Sequence, residues 1–202
     1  MVGPIPHEHV PSPLEAAVAT ALGGQSIVLV GMMGAGKSSV GRRLGQRLGL
    51  PFADADTEIE ASANMTIPEI FATRGEAEFR SGEQRVIARL LKNGPQVLAT
   101  GGGAFMNAET REAVSAGGIS IWLKADFDTL MRRVKRRQDR PLLKTPDPAA
   151  TLRGLIEARE PTYALADITV ESRDVPHMSV VDDIIAVLAA RFNVSIADEA
   201  KS

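Results

Sequence analysis

The stretch from Ser26 to Ser38 constrains this 202-residue chain more than any other. Ser26-Ile-Val-Leu-Val30 is a short, β-branched apolar run, the pattern of a strand buried on both faces of a parallel sheet. It leads into Gly31-Met-Met-Gly34-Ala35-Gly36-Lys37-Ser38, which fits G-x-x-x-x-G-K-[ST]. The glycines let backbone N–H groups curl round a phosphate, and the helix that follows aims its positive end at the same group. Lys37 supplies charge to the β- and γ-phosphates, and Ser38 supplies an oxygen for Mg²⁺. That helix carries Val40, Leu44 and Leu48 on one face and stops at Gly49. A chance match in a chain of this length is on the order of one per cent. Gly34, Ala35, Gly36, Lys37, Ser38 and Ser39 are therefore candidate phosphate ligands.

Strands and helices alternate along the rest of the chain. Ser12-Pro13-Leu14-Glu15 reads as a capping box opening a helix to about Leu22. Pro51 to Asp56 reads as a second strand. Thr66-Ile-Pro-Glu69 opens a helix that Gly75 stops, and a longer helix runs from about Glu76 to Lys92 with Phe79, Val86, Ile87, Leu90 and Leu91 inward. Val97–Thr100, Ile119–Leu123 and Ile168–Val170 read as further strands. Asn107 caps a helix ending near Gly117, Asp126 one ending near Arg137, and Asp147-Pro148 open one ending near Glu160. A last helix spans Ser179 to Phe192. This pattern predicts an α/β domain with a doubly wound, five-stranded parallel sheet flanked by helices, the P-loop NTPase fold. Residues 1–25 read as an N-terminal extension with a short helix, 26–192 as one domain, and 193–202 as a flexible tail. His7 and His9, among the prolines of the start, read as solvated rather than as metal ligands.

In such sheets ligands sit at the carboxyl ends of the strands. Asp54 and Asp56 lie at the end of the second strand, and a period of two places both on one face. The plainer reading is a helix cap at Asp56. No Asp ends the third strand, so a carboxylate near Mg²⁺ would come from this pair. Gly101-Gly102-Gly103 ends the third strand and lets a ligand lie on bare backbone. Arg80, Arg140 and Arg159 complete the candidates, each of which alone reads equally as a solvated surface residue. Six Lys and 17 Arg make up the basic residues. Arginine binds carboxylate and phosphate through paired hydrogen bonds, although codon bias gives the same excess.

Taken together, Gly31–Ser38, Asp54-Ala-Asp56, Phe71-Ala-Thr-Arg-Gly-Glu-Ala-Glu-Phe-Arg80, Gly101–Gly103, Arg140-Pro-Leu-Leu143 and Arg159-Glu-Pro-Thr-Tyr163 resemble the shikimate kinase family in order and spacing. The resemblance covers about residues 25 to 190. It implies ATP-dependent phosphorylation of the shikimate 3-hydroxyl, with ATP and Mg²⁺ as cofactors. It implies that Asp56, Arg80, Arg159 and Gly101–Gly103 bind shikimate, with the two arginines clamping its carboxylate. It places Asp54 with Ser38 at Mg²⁺, Arg140 on a lid at about 138–148 reaching the transferred phosphate, and Arg173 with Pro176 near the adenine. Lys37, Asp56 and Arg140 are the implied catalytic groups.

Three other readings compete. Another small-molecule kinase, such as a gluconate kinase, shares the phosphate loop and needs a carboxylate clamp, but the glycine floor and Arg140-Pro-Leu-Leu143 speak against it. A non-catalytic nucleotide-binding module would not need Asp54, Asp56 and Arg140 beside Lys37. Nucleic-acid binding through Arg132–Arg140 is the third. That run holds six basic residues and one acidic, but it ends a helix, where cations complement the dipole. The net charge of −2 does not favour nucleic acid, the absence of cysteine excludes thiolate chemistry, and no apolar run approaches membrane-spanning length. A monomeric cytoplasmic enzyme is expected.

Overall fold

The computed structural model describes residues 9–136 and 145–194. Five parallel strands, β1 (Ser26–Val30), β2 (Phe52–Asp54), β3 (Val97–Ala99), β4 (Gly118–Lys124) and β5 (Ile168–Glu171), lie in the order β2-β3-β1-β4-β5. Central β1 is buried at every residue and pairs with both β3 and β4, Val28 lying opposite Leu98 and Ser120. The chain leaves β1 for β2 and β3 on one side and then crosses to β4 and β5 on the other. The end of β1 is thus the switch point, where the crevice of a doubly wound sheet opens.

The helices are α1 (Pro13–Leu22), α2 (Lys37–Leu48), α3 (Ala55–Ala63), α4 (Ile67–Lys92), α5 (Ala108–Gly117), α6 (Phe127–Lys135), α7 (Pro148–Tyr163) and α8 (His177–Arg191). Local signals set most of their ends. Both capping boxes form, at Ser12 with Glu15 and at Thr66 with Glu69, and Gly49 ends α2 in the left-handed conformation. Val40, Leu44 and Leu48 face the core as their spacing predicts, and so do Phe79, Val86, Ile87, Leu90 and Leu91.

The structure departs from the expected elements in two places. First, β2 ends at Asp54 and Asp56 lies in the first turn of α3. The Asp54 carboxylate accepts the Asp56 N–H at 3.1 Å, so it starts a helix where a strand was expected, and the period-two argument for the pair fails. The helix cap is Asp54, not Asp56. Second, α7 continues past Glu160 to Tyr163, carrying Pro161 inside it. As expected, the helix that starts at Thr66 breaks at Gly75, which takes φ 81°, ψ 173° and kinks the chain before the second helix runs on to Lys92. A side chain is strained in that conformation. Also as expected, Asp147 caps α7 and Pro148 is its first residue. Arg140 and residues 137–144, His7 and residues 195–202 lie outside the described residues.

Helix α1 packs on α2 and α8, which both begin beside the phosphate loop. Its Glu15 is 2% exposed. The Ser12 N–H donates to Glu15 at 2.7 Å, His9 Nε2 lies 3.1 Å from it, and Arg47 on α2 donates to it through Nε. His9 therefore has a partner rather than only solvent. Arg47 Nη1 also reaches Asp182 on α8 at 2.9 Å, so one guanidinium joins three helices. Burial pushes the Glu15 carboxyl up, but hydrogen bonds from Ser12, His9 and Arg47 outweigh it and bring the pKa from 4.5 down to about 2. A folded value below the unfolded one stabilises the fold above pH 4.5, and that contribution is lost as pH falls towards 2. Arg47→Met leaves the buried carboxylate without its guanidinium. It is expected to cost about 3 kcal/mol in denaturant titration at pH 7, and to lose less stability than the parent between pH 4.5 and 2.

Candidate active site

The phosphate loop leaves β1 and ends at Gly36, which takes the left-handed conformation (φ 93°, ψ 12°) at the N-cap of α2. No side chain caps that helix, so its first N–H groups point at whatever the loop encloses. Lys37 is buried, and its ammonium donates to the carbonyls of Gly31 at 2.7 Å and Met32 at 3.0 Å. These bonds hold the charge inside the loop. Ser38 Oγ donates to Asp54 Oδ2 at 2.5 Å.

A cavity of about 660 Å³ opens over the loop. Gly34, Gly36, Lys37, Ser38 and Ser39 line its centre, and Asp54, Asp56 and Gly102 line one side. Both aspartates thus reach one site from a helix N-terminus, although not from one strand face. The other side is lined by Arg133 of α6 and by Asp174 to Met178. Ala35 is buried, and its carbonyl accepts from Ser172 Oγ at 2.7 Å, which ties the loop to the end of β5.

The triple glycine explains itself by close approach. A Cβ on Gly101 would lie 2.5 Å from Glu83 Oε1 and 2.9 Å from Asp56 Oδ1. One on Gly103 would lie 2.7 Å from Arg80 Nη1, and one on Gly102 would lie 3.8 Å from Arg159 Nη1. Four charged side chains therefore converge on bare backbone, and a side chain at Gly101 or Gly103 would push their charged ends aside. Arg80, Arg159, Gly101 and Gly103 do not line the cavity itself; they adjoin it through Asp56 and Gly102.

Each arginine is fixed from behind. Arg80 Nη1 donates to Glu83 Oε2 at 2.7 Å and Nη2 reaches Glu76 at 3.4 Å. Arg159 Nη1 donates to the Gly102 carbonyl at 3.2 Å. One turn later Tyr163 donates its hydroxyl to the same carbonyl, and its ring stacks on Trp122 with centroids 5.9 Å apart. Burial pushes the Tyr163 hydroxyl up to about 12, so it stays a donor. This pins the end of α7 to the glycine floor.

Glu83 is the group the sequence reading missed. It is 2% exposed, and its Oε1 has no hydrogen-bond partner among the described residues. Burial raises its pKa, with the Asp56 charge adding to the rise and Arg80 and Arg159 opposing it. Its signal was a carboxylate on the inward face of α4, one turn after Arg80. Arg133 was also missed, folded into a basic run read only as lid electrostatics. Its guanidinium donates to Ser172 Oγ at 3.0 Å and to the Arg173 carbonyl at 2.7 Å, and burial lowers its pKa. Arg132 pairs with Asp174. Arg173 pairs with Asp183 at 2.8 Å and does not line the cavity, whereas Pro176 does.

The donors suit a hard cation. Ser38 and Asp54 present oxygens side by side, and no cluster of three or more His, Asp or Glu occurs among the described residues. Mg²⁺ beside phosphates characteristically uses one or two protein oxygens plus water and the phosphates. No helix among the described residues is long and apolar enough to cross a membrane.

The sequence model described as shikimate kinase matches residues 33–189. The shikimate kinase of Rhodopseudomonas palustris is 64% identical over 177 residues, covering 88% of this chain and 87% of that protein. That of Bradyrhizobium diazoefficiens is 63% identical over 176 residues, covering 87% and 85%. Among solved structures, shikimate kinase from Acinetobacter baumannii in complex with shikimate superposes with a TM-score of 0.81 at 36% identity, covering 86% of this chain and 98% of that one.

Proposed function

Because the chain belongs to the shikimate kinase family, we propose that it transfers the γ-phosphoryl group of ATP to the 3-hydroxyl of shikimate in the cavity between the phosphate loop and the glycine floor. The observation that carries this is the junction of two half-sites: Asp56 lines the phosphate cavity and also stands against Gly101, beside Arg80 and Arg159.

Phosphoryl transfer spreads negative charge over the moving group, so the protein's work is positioning and charge stabilisation. The phosphate-loop N–H groups and Lys37 cradle the β- and γ-phosphates. Ser38, and Asp54 through water, would hold Mg²⁺, which would offset the phosphate charge. Arg80 and Arg159 take the shikimate carboxylate in paired hydrogen bonds, and Gly101–Gly103 let the ring lie on backbone. Asp56 accepts the hydrogen bond of the attacking hydroxyl and orients its lone pair to the phosphorus. The family likeness assigns Arg140 to the transferred phosphate; its position lies outside the described residues. Arg133 and Pro176 bound the end of the cavity that we assign to the base, where Arg173 and Pro176 were the expected pair.

In this reading residues 26–192 work as one kinase unit, with 1–25 as an extension and 193–202 as a tail. On the same reading the protein acts on a small molecule as a cytoplasmic monomer. The assay is ADP release with Mg-ATP and shikimate, gluconate or no acceptor, repeated with excess chelator. We expect turnover with shikimate alone, abolished by chelator. Turnover with gluconate, or with no acceptor at the same rate, would contradict the reading.

A further inference from the structure

The end of the cavity away from Asp56 holds a side chain that the reaction outlined above does not use. His177 is the first residue of α8, lines the cavity and is half-buried. A methyl group placed on Gly36 would lie 3.8 Å from His177 Cε1 and 3.8 Å from Arg133 Nη1. The imidazole and the guanidinium therefore flank the last glycine of the phosphate loop from two different elements. The uncapped N-termini of α2 and α8 meet at the same place. A polyphosphate leaving the loop towards the base end must pass between them.

We propose that the His177 imidazole is a nucleotide contact, donating a hydrogen bond to the phosphate chain of ATP where it leaves the loop, and taking up a proton from solvent as it does so. This rests on the nucleotide reading of the cavity. Arg133 from α6 and Arg43 from α2 face the imidazole, and Arg136 and Asp174 line the same end of the cavity. Burial comes first, and Arg133 and Arg43 add to it, in holding the imidazole below its ordinary value of 6.5. It is therefore neutral at pH 7 before nucleotide binds. Phosphate oxygens bring negative charge that opposes the two arginines and raises the pKa, so binding draws in a proton near neutrality. Nucleotide affinity then falls as pH rises through that range.

The test is calorimetric titration with MgADP at pH 6.5 in two buffers of different ionisation enthalpy, which counts protons taken up. Wild type is expected to take up about half a proton. His177→Gln is expected to take up close to none and to bind about three- to tenfold more weakly. His177→Lys keeps the charge and should bind with near wild-type affinity without proton uptake. The nucleotide's own ionisation is common to all three proteins and cancels in the comparison. Equal proton uptake by wild type and His177→Gln would overturn the proposal. Failure of wild type to bind MgADP would instead overturn the nucleotide reading beneath it.

Discussion

Asp56→Asn is expected to lower kcat by about a thousandfold while leaving the KM for ATP within a few-fold of the parent. Asparagine keeps the size of the side chain, and the cap on α3 comes from Asp54 rather than Asp56, so the helix start survives. What is lost is a negative oxygen beside Gly101 that can accept the hydrogen bond of the attacking hydroxyl. An amide can turn its NH₂ group there and pair with the wrong end of the hydroxyl. The effect therefore falls on the step in which the hydroxyl attacks, not on nucleotide binding at Lys37 and Ser38. Asp56 is also one of the charges that raise the pKa of buried Glu83. Its removal should let Glu83 ionise at lower pH, shifting the acid limb of the residual activity downwards. Steady-state kinetics from pH 5 to 9 read both effects. A kcat within tenfold of wild type would remove Asp56 from the chemistry.

Local chemistry made much of this molecule legible in the sequence. The apolar run before Gly31 and the spacing to Lys37 fixed the first strand, the loop and its helix, and Ser12, Thr66, Asn107 and Asp126 each cap the helix expected of them. One error came where two local preferences compete. Asp54 could extend a strand or cap a helix, and only its bond to the Asp56 N–H decides between them.

What stayed hidden was set by distant partners. Glu83 is an ordinary surface carboxylate by type, and becomes a buried, half-satisfied one only because α4 lies against the glycine floor. Arg133 is one of several basic residues at the end of α6, and contact with Ser172 and the Arg173 carbonyl singles it out. Tyr163 follows Arg159 by one helical turn, but their shared bond to Gly102 depends on α7 crossing to β3. The strand order likewise follows from crossovers that no local pattern encodes.

The account stands most directly on the arginine pair over the glycine floor as the seat of the shikimate carboxylate. Arg80 is the sharper probe, because Glu83 fixes its Nη1 at 2.7 Å and Gly103 gives it room that any Cβ would fill. Lysine at this position keeps a positive charge and keeps a partner for Glu83, but it cannot make two parallel bonds to a carboxylate. Arg80→Lys therefore separates paired hydrogen bonding from charge. The loss is expected to be about 2 kcal/mol of substrate binding, roughly a thirtyfold change. The measurement is the KM for shikimate and the KM for ATP of Arg80→Lys, each taken at a saturating level of the other substrate. The account predicts a rise of about thirtyfold for shikimate and less than twofold for ATP; an unchanged KM for shikimate, or a defect confined to ATP, would contradict it.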